Sequence, residues 1–439
     1  MVRVAEKLYY ILIFSFILPS GNLFNIPIKL LLCGLILLAT VLSGERIKFD
    51  KITWLVVFVF ASLLFWAMIA GINGYSDTIF QCMKQFIAML IIIWLTYLFV
   101  SNKVIQIDTA FKCFQIVAIT LVGIKFICEC IFLAKVLSYN DILSLYFRVF
   151  NTQLTSLAVS LGGITFYRVM ATNDALPILY WSFFLIMNRK FVRKLLLTII
   201  MALFCFVAYS RVILAQFFLC LFVVGFIKLC NVDWGKAHSK QTWSCVLVFM
   251  LFALTVLILA ARSEGGQQLI NTVYRRFFGS DASFSDSFRR VQKEYLLHGF
   301  LQSPVFGKGT GAYVEECIRS ETAKFSYELE YLSFLYQFGI IGFLCIIGTI
   351  FYVVWRICFG ANYNRDIKMI IVFNLAIWAI KPFVNPGFLA SNSGIVISMI
   401  LICAMHCQKS KATLKAKSAK QPVNACAAAE IGCRSDLID

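Results

Sequence analysis

The chain has 439 residues, of which 61% are hydrophobic and 14% charged, and its 40 Lys and Arg against 22 Asp and Glu give a formal charge of +18. Soluble domains carry about 25% charged and 45–50% apolar residues, so a mean hydropathy of +0.84 excludes an ordinary soluble fold. The basic residues are scattered between apolar runs and not gathered with aromatics on a polar face, which excludes a nucleic-acid partner. The 16 cysteines lie mostly inside apolar runs, and with three histidines they form no metal-ligand spacing, so no metal and no cofactor are expected.

A helical crossing takes about 20 mostly apolar residues. In chain order, such runs extend from Leu8 to Ser20, Pro27 to Ser43, Ile52 to Gly71, Ile79 to Leu98, Lys112 to Ala134 and Ala175 to Met187. They continue from Arg193 to Tyr209, Val212 to Leu229, Trp243 to Ala261, Leu329 to Trp355, Lys368 to Val384 and Phe388 to His406. The pattern predicts an all-α polytopic membrane protein with about 12 transmembrane helices. The first run, which follows Met1 to Lys7, has no small-x-small cleavage site and is read as a retained span.

Positive loops stay in the cytoplasm. Arg3 and Lys7 at one end, and Lys409, Lys411, Lys415, Lys417 and Lys420 at the other, predict that both termini are cytoplasmic. The counts from the two ends agree if one crossing lies between Ala134 and Met187. Ala175 to Met187 takes it, and Thr155 to Met170 stays in an outer loop or inserts partly; the alternative exchanges the two. Residues 1–407 then form a single transmembrane domain, and 408–439 a basic, disordered cytoplasmic tail. Two extracytoplasmic loops, 135–174 and 262–328, far exceed the 2–8 residues that usually link helices, so chemistry is expected there.

The outer side carries more cations than orientation requires, among them Arg148, Arg168, Arg275, Arg289 and Lys381. Arg211, after Ser210, interrupts an apolar stretch at a turn close to membrane level, and a charge at that depth is a functional candidate. Lys125 and Glu129, at i and i+4, are expected to pair on one helix face. Guanidinium groups at an outward interface suit a phosphorylated lipid head group, because Arg binds phosphate bidentately and keeps its charge.

The second loop contains Pro304, Gly307, Gly309 and Gly311, whose spacing favours a tight turn; bare backbone N–H groups there could approach an anion, and a purely structural turn fits equally. Glu328 and Glu330 follow where the chain returns to the membrane.

These residues resemble the O-antigen polymerase and ligase superfamily, with Wzy-type polymerases nearest. The resemblance rests on an ordered set: Ser210-Arg211 at an outward turn, the Pro-x-x-Gly-x-Gly-x-Gly loop, and Glu328-Leu329-Glu330-Tyr331-Leu332 running to Gly339 and Gly342. It covers topology over most of the chain and motif identity from about Phe206 to Phe343. Ligases of the superfamily place a His where this chain has Glu328, which points toward a polymerase. An Arg followed some residues later by Gly, a pattern of the outer loops of some polymerases, is approached by Arg148 with Gly162-Gly163 and by Arg289 with Gly299.

The resemblance implies a metal-independent glycosyltransferase of the bacterial inner membrane. It would join undecaprenyl-diphosphate-linked oligosaccharide repeat units on the outer face, for O-antigen, capsule or exopolysaccharide. A ligase-type transferase and a lipid-linked oligosaccharide flippase are the alternatives. In this reading Arg211 with Glu328 or Glu330 is catalytic, and Arg289, Arg275, Arg148, Arg168, Ser210, Gly307, Gly309 and Gly311 contact diphosphate or sugar. Membrane lipid, a chain-length regulator and a flippase are the other partners it implies.

Overall fold

A computed structural model describes residues 2–19, 23–24, 26–43, 50–150, 158–161, 164–167, 173–187, 191–208, 210–230, 267, 280–318, 323–383, 387–388 and 390–432. Its first five helices are α1 (Val2–Phe14), α2 (Ile28–Leu42), α3 (Lys51–Ile72), α4 (Ser76–Ser101) and α5 (Ile107–Leu133). After them come α6 (Tyr139–Phe150), a hairpin of β1 (Ala158–Leu161) and β2 (Ile164–Tyr167), α7 (Ala175–Met187), α8 (Phe191–Ala208) and α9 (Arg211–Cys230). The remainder comprises α10 (Ser280–Gln302), α11 (Glu330–Gly342), a π-helical turn (Phe343–Ile347), α12 (Gly348–Phe359), α13 (Arg365–Ile380) and α14 (Ser391–Gly432).

Among the described residues, six helices are long and apolar enough to cross a membrane: Lys51–Ile72, Ser76–Ser101, Ile107–Leu133, Phe191–Ala208, Glu330–Phe359 and Ser391–Ser410. Ile28–Leu42, Ala175–Met187 and Val212–Ile227 are apolar but shorter. The chain is therefore a multi-pass membrane protein, and its described residues are almost wholly helical. The run from Trp243 to Ala261 lies outside the described residues.

Two segments differ from what the apolar runs imply. Within Thr155 to Met170, residues 158–161 and 164–167 pair antiparallel, with Leu161 opposite Ile164. The sequence between the strands is Gly162-Gly163, the dipeptide type that two-residue hairpins favour. An open two-stranded hairpin leaves backbone groups without internal partners, which hydrocarbon does not tolerate, so this segment is better suited to the outer loop than to a crossing. At the other end, α14 runs to Gly432, past the end of the last apolar run at His406. Ala and Lys, the commonest residues of that stretch, are strong helix formers.

Close packing in the bundle depends on small and hydroxyl-bearing residues. A Cβ at Gly394 of α14 would lie 2.7 Å from the Met89 carbonyl oxygen of α4, so only glycine permits this approach of the two backbones. Beside it, Tyr9 Oη donates to Thr96 Oγ1 at 2.8 Å and Thr96 Oγ1 to Ser398 Oγ at 2.8 Å, tying α1, α4 and α14 together. Lys125 of α5 is buried, and its Nζ lies 2.7 Å from Asp174 Oδ2. That carboxylate, just before α7, is a partner the i, i+4 pattern with Glu129 does not identify.

Candidate functional site

The site is built around a broken helix and the loop that mends it. Gly339, with φ 62° and ψ −172°, interrupts α11. A helix broken within an apolar span must satisfy its freed backbone groups elsewhere, and the glycine loop meets this need in both directions. Lys308 N donates to Tyr336 O at 3.0 Å and Gly309 N to Gln337 O at 2.7 Å. In return Ile340 N donates to Pro304 O at 2.8 Å and Ile341 N to Val305 O at 3.2 Å. The indole Nε1 of Trp66 on α3 is shared between Phe306 O at 2.7 Å and Phe338 O at 3.0 Å.

Gly307, Gly309 and Gly311 have φ of 70°, 102° and 84°, a region that only glycine enters freely. Gly309 also has no room for a side chain, since a Cβ would lie 2.2 Å from Ala70 N. The loop's other amides are engaged as well. Gly307 N donates to Ser303 O, Thr310 N to Trp66 O, Gly311 N to Gln337 Oε1 and Ala312 N to Gly309 O. No amide from 307 to 312 is left to face an anion. Of the two uses open to this turn, the geometry supports the structural one.

What the loop positions is the segment before α11. Tyr327 is fully buried, and its hydroxyl accepts from Val314 N at 2.7 Å; burial pushes that phenol above its usual range. Tyr336 Oη lies 3.0 Å from Tyr75 Oη and donates to Tyr313 O at 3.1 Å. Lys324 stacks over the Tyr313 ring with Nζ 4.9 Å from its centroid, and Tyr313 together with Asp77 holds the ammonium above its usual range. Over this tyrosine cluster lies α10. Its Gly299 is seated where a Cβ would come 2.5 Å from the Tyr336 ring.

From Gly299 the buried positions of α10 run back through Leu296 and Gln292, one helical face at i, i+4 and i+7. The next position on that face is Arg289. Its Nε lies 2.8 Å from Glu328 Oε2, with side chains 20% and 12% exposed. Gln292 Oε1 accepts from Glu328 N at 3.1 Å, so α10 holds both the backbone and the carboxylate of Glu328. The structure thus joins two expected site residues that stand 39 positions apart in the second loop. Gln292 is an addition to the expected set, because nothing in its local sequence marks a glutamine as buried.

Glu330 is placed differently. It is buried, and its Oε2 accepts from Gly387 N at 2.9 Å and Phe388 N at 2.7 Å, which fastens the start of α11 to the segment before α14. A cavity of about 170 Å³ lies beside it, bordered by Gln85, Ser326, Tyr327 and Phe334. Lys381 lies within electrostatic reach of both Glu330 and Asp174, and Asp174 also reaches Cys205, near the end of α8. Ser210 is buried in the turn that follows, and Ser210 O accepts from Leu214 N in the first turn of α9. Arg211 opens α9, and its side chain lies outside the described residues, as do Arg168 and Arg275. Arg148 is exposed on α6, a helix that packs against Phe132 of α5.

With this geometry in place, the comparison with known families has a structural counterpart. Residues 196–347 match the family model described as O-antigen ligase, Wzy_C. This domain places the segment in the O-antigen polymerase and ligase superfamily, as the ordered motifs implied. It runs from α8 to the π-helical turn and holds Ser210-Arg211, Arg289, the glycine loop, Glu328 and Glu330. Members of the family are glycosyltransferase-type enzymes, and the match points to a role of that kind in polysaccharide assembly. No curated protein matches the chain.

Proposed function

We propose that the protein is a polysaccharide polymerase of the bacterial inner membrane, joining undecaprenyl-diphosphate-linked repeat units on the outer face. The observation that carries this reading is the Arg289 to Glu328 contact at 2.8 Å inside the family-matched segment. It supports the reading because a carboxylate and a guanidinium, the groups the reaction calls for, stand side by side.

In the reaction an acceptor sugar hydroxyl attacks the anomeric carbon of the donor chain. The bond from that carbon to the diphosphate oxygen breaks, and its electron pair leaves with the diphosphate. The hydroxyl proton goes to a carboxylate, and the developing phosphate charge needs donors already in place. Glu328 is the base in this assignment, since Glu330 is engaged with two backbone amides. A guanidinium has five N–H donors, enough for Arg289 to meet a carboxylate and a phosphate together. Arg211 is the second clamp, with Ser210 fixing its turn, and Arg275, Arg168 and Arg148 are further candidates for donor contacts. No step of this scheme calls for a metal. Glu328 in place of the ligase histidine favours polymerase over ligase.

Surface polysaccharide from a strain lacking the gene separates the readings. Loss of a polymerase is expected to leave single-unit-capped product. Accumulation of full-length lipid-linked polymer would instead identify a ligase, and absence of repeat units at the outer face a flippase.

A further inference from the structure

Away from this site, α9 and α13 pack side by side and leave between them a groove of about 690 Å³. Phe222 and Phe226, one turn apart on α9, form one wall, and Met369, Val372 and Ala376 follow each other along α13 to form the other. Arg365 and Lys368, in the first turn of α13, border one end. Lys368 Nζ reaches Asn362 Oδ1 at 3.5 Å, and the Arg365 guanidinium is exposed, with no side-chain hydrogen bond or ion pair among the described residues. Asp366, the acid of the same turn, does not line the groove.

We propose that this groove holds one acyl chain of an anionic phospholipid, with the lipid phosphate between Arg365 and Lys368. Two features select this occupant. The eleven residue steps from Arg365 to Ala376 rise about 16 Å at 1.5 Å each, close to the roughly 15 Å hydrocarbon depth of one leaflet. Two cations at the groove's end, with no carboxylate lining it, complement a phosphate and favour a head group without a compensating positive charge. The lipid-diphosphate substrate does not fit this place, because Lys381 and Glu330 mark the opposite end of α13, about 24 Å away by the same rise. The proposal is therefore independent of the glycosyltransferase assignment.

Binding is tested on the purified full-length protein in detergent, titrated with dioleoyl phosphatidylglycerol or dioleoyl phosphatidylcholine and followed by thermal unfolding. Phosphatidylglycerol is expected to raise the unfolding midpoint more than phosphatidylcholine. The double variant Arg365→Ala/Lys368→Ala is expected to bind phosphatidylglycerol at least tenfold more weakly, with its lipid-free midpoint unchanged. Arg365→Lys/Lys368→Arg keeps the preference. Ala376→Trp fills the groove with both cations in place and is expected to remove stabilisation by lipid, which decides the matter if the double variant folds poorly. Equal stabilisation by the two lipids, or a phosphatidylglycerol preference that survives Ala376→Trp, overturns the proposal.

Discussion

Glu328→Gln is expected to lower polymer formation by about 10²- to 10⁴-fold, the usual contribution of a general base. The protein should still reach the membrane, since Gln keeps the length of the side chain and an oxygen for Arg289, with a lowered thermal midpoint because a neutral acceptor is the weaker partner for the guanidinium. Glu330→Gln supplies the contrast. Its amide oxygen can still accept from Gly387 N and Phe388 N, but neutral acceptors make bonds about half as strong as charged ones. The variant should lose on the order of 1–2 kcal/mol of stability and retain polymer. Quantifying chain-length distribution and membrane protein level in both strains checks the pair. Polymer retained in Glu328→Gln and lost in a well-folded Glu330→Gln would exchange their roles.

The second large effect falls on the fold. A Cβ at Gly309 would meet Ala70 N at 2.2 Å and Ala70 Cα at 2.4 Å, at a φ of 102°. Backbone strain of this kind costs about 1–3 kcal/mol, and overpacking against a rigid neighbour typically adds about 1–3 kcal/mol. Gly309→Ala is therefore expected to remove roughly 2–6 kcal/mol from a stability that is commonly only about 5–15 kcal/mol. Loss of the folded protein from the membrane, or a sharp fall of its unfolding midpoint in detergent, reports the effect. Gly311→Ala should be milder, because its nearest atoms stand at 3.1 Å. At Gly225 a Cβ would meet nothing within 4 Å, so Ala should be accepted there without cost. A Gly309→Ala protein as stable as the Gly225→Ala protein would contradict the packing described for the loop.

Much of the helical framework is legible in the sequence, because a crossing writes itself as a long apolar run. Lys51–Ile72 and Ser76–Ser101 each contain the run expected there. What escapes is the structure of the long loops, where polar residues are buried beside apolar ones. The buried face of α10 reads Arg289, Gln292, Leu296 and Gly299, while Val291 and Tyr295 are exposed. A hydrophobic period therefore points away from the true contact face. The pairing of Lys125 with Asp174 spans 49 residues, and no local pattern encodes it. The glycine motif is visible in the sequence, but only the geometry shows that its amides are engaged with Tyr336, Gln337 and Trp66. Glu328 and Arg289 are both legible as types of residue at an interface. Their contact is not, since it depends on α10 lying across Tyr336.

We propose one catalytic pair, Glu328 with Arg289, in a polymerase. Its most direct test uses the purified protein in vesicles, with an undecaprenyl-diphosphate-linked repeat unit as both donor and acceptor. A ladder of lengthening lipid-linked chains is expected from the wild-type protein and none from Glu328→Gln. A ladder from Glu328→Gln, or turnover by the wild type only when a separate lipid or protein acceptor is added, would contradict it.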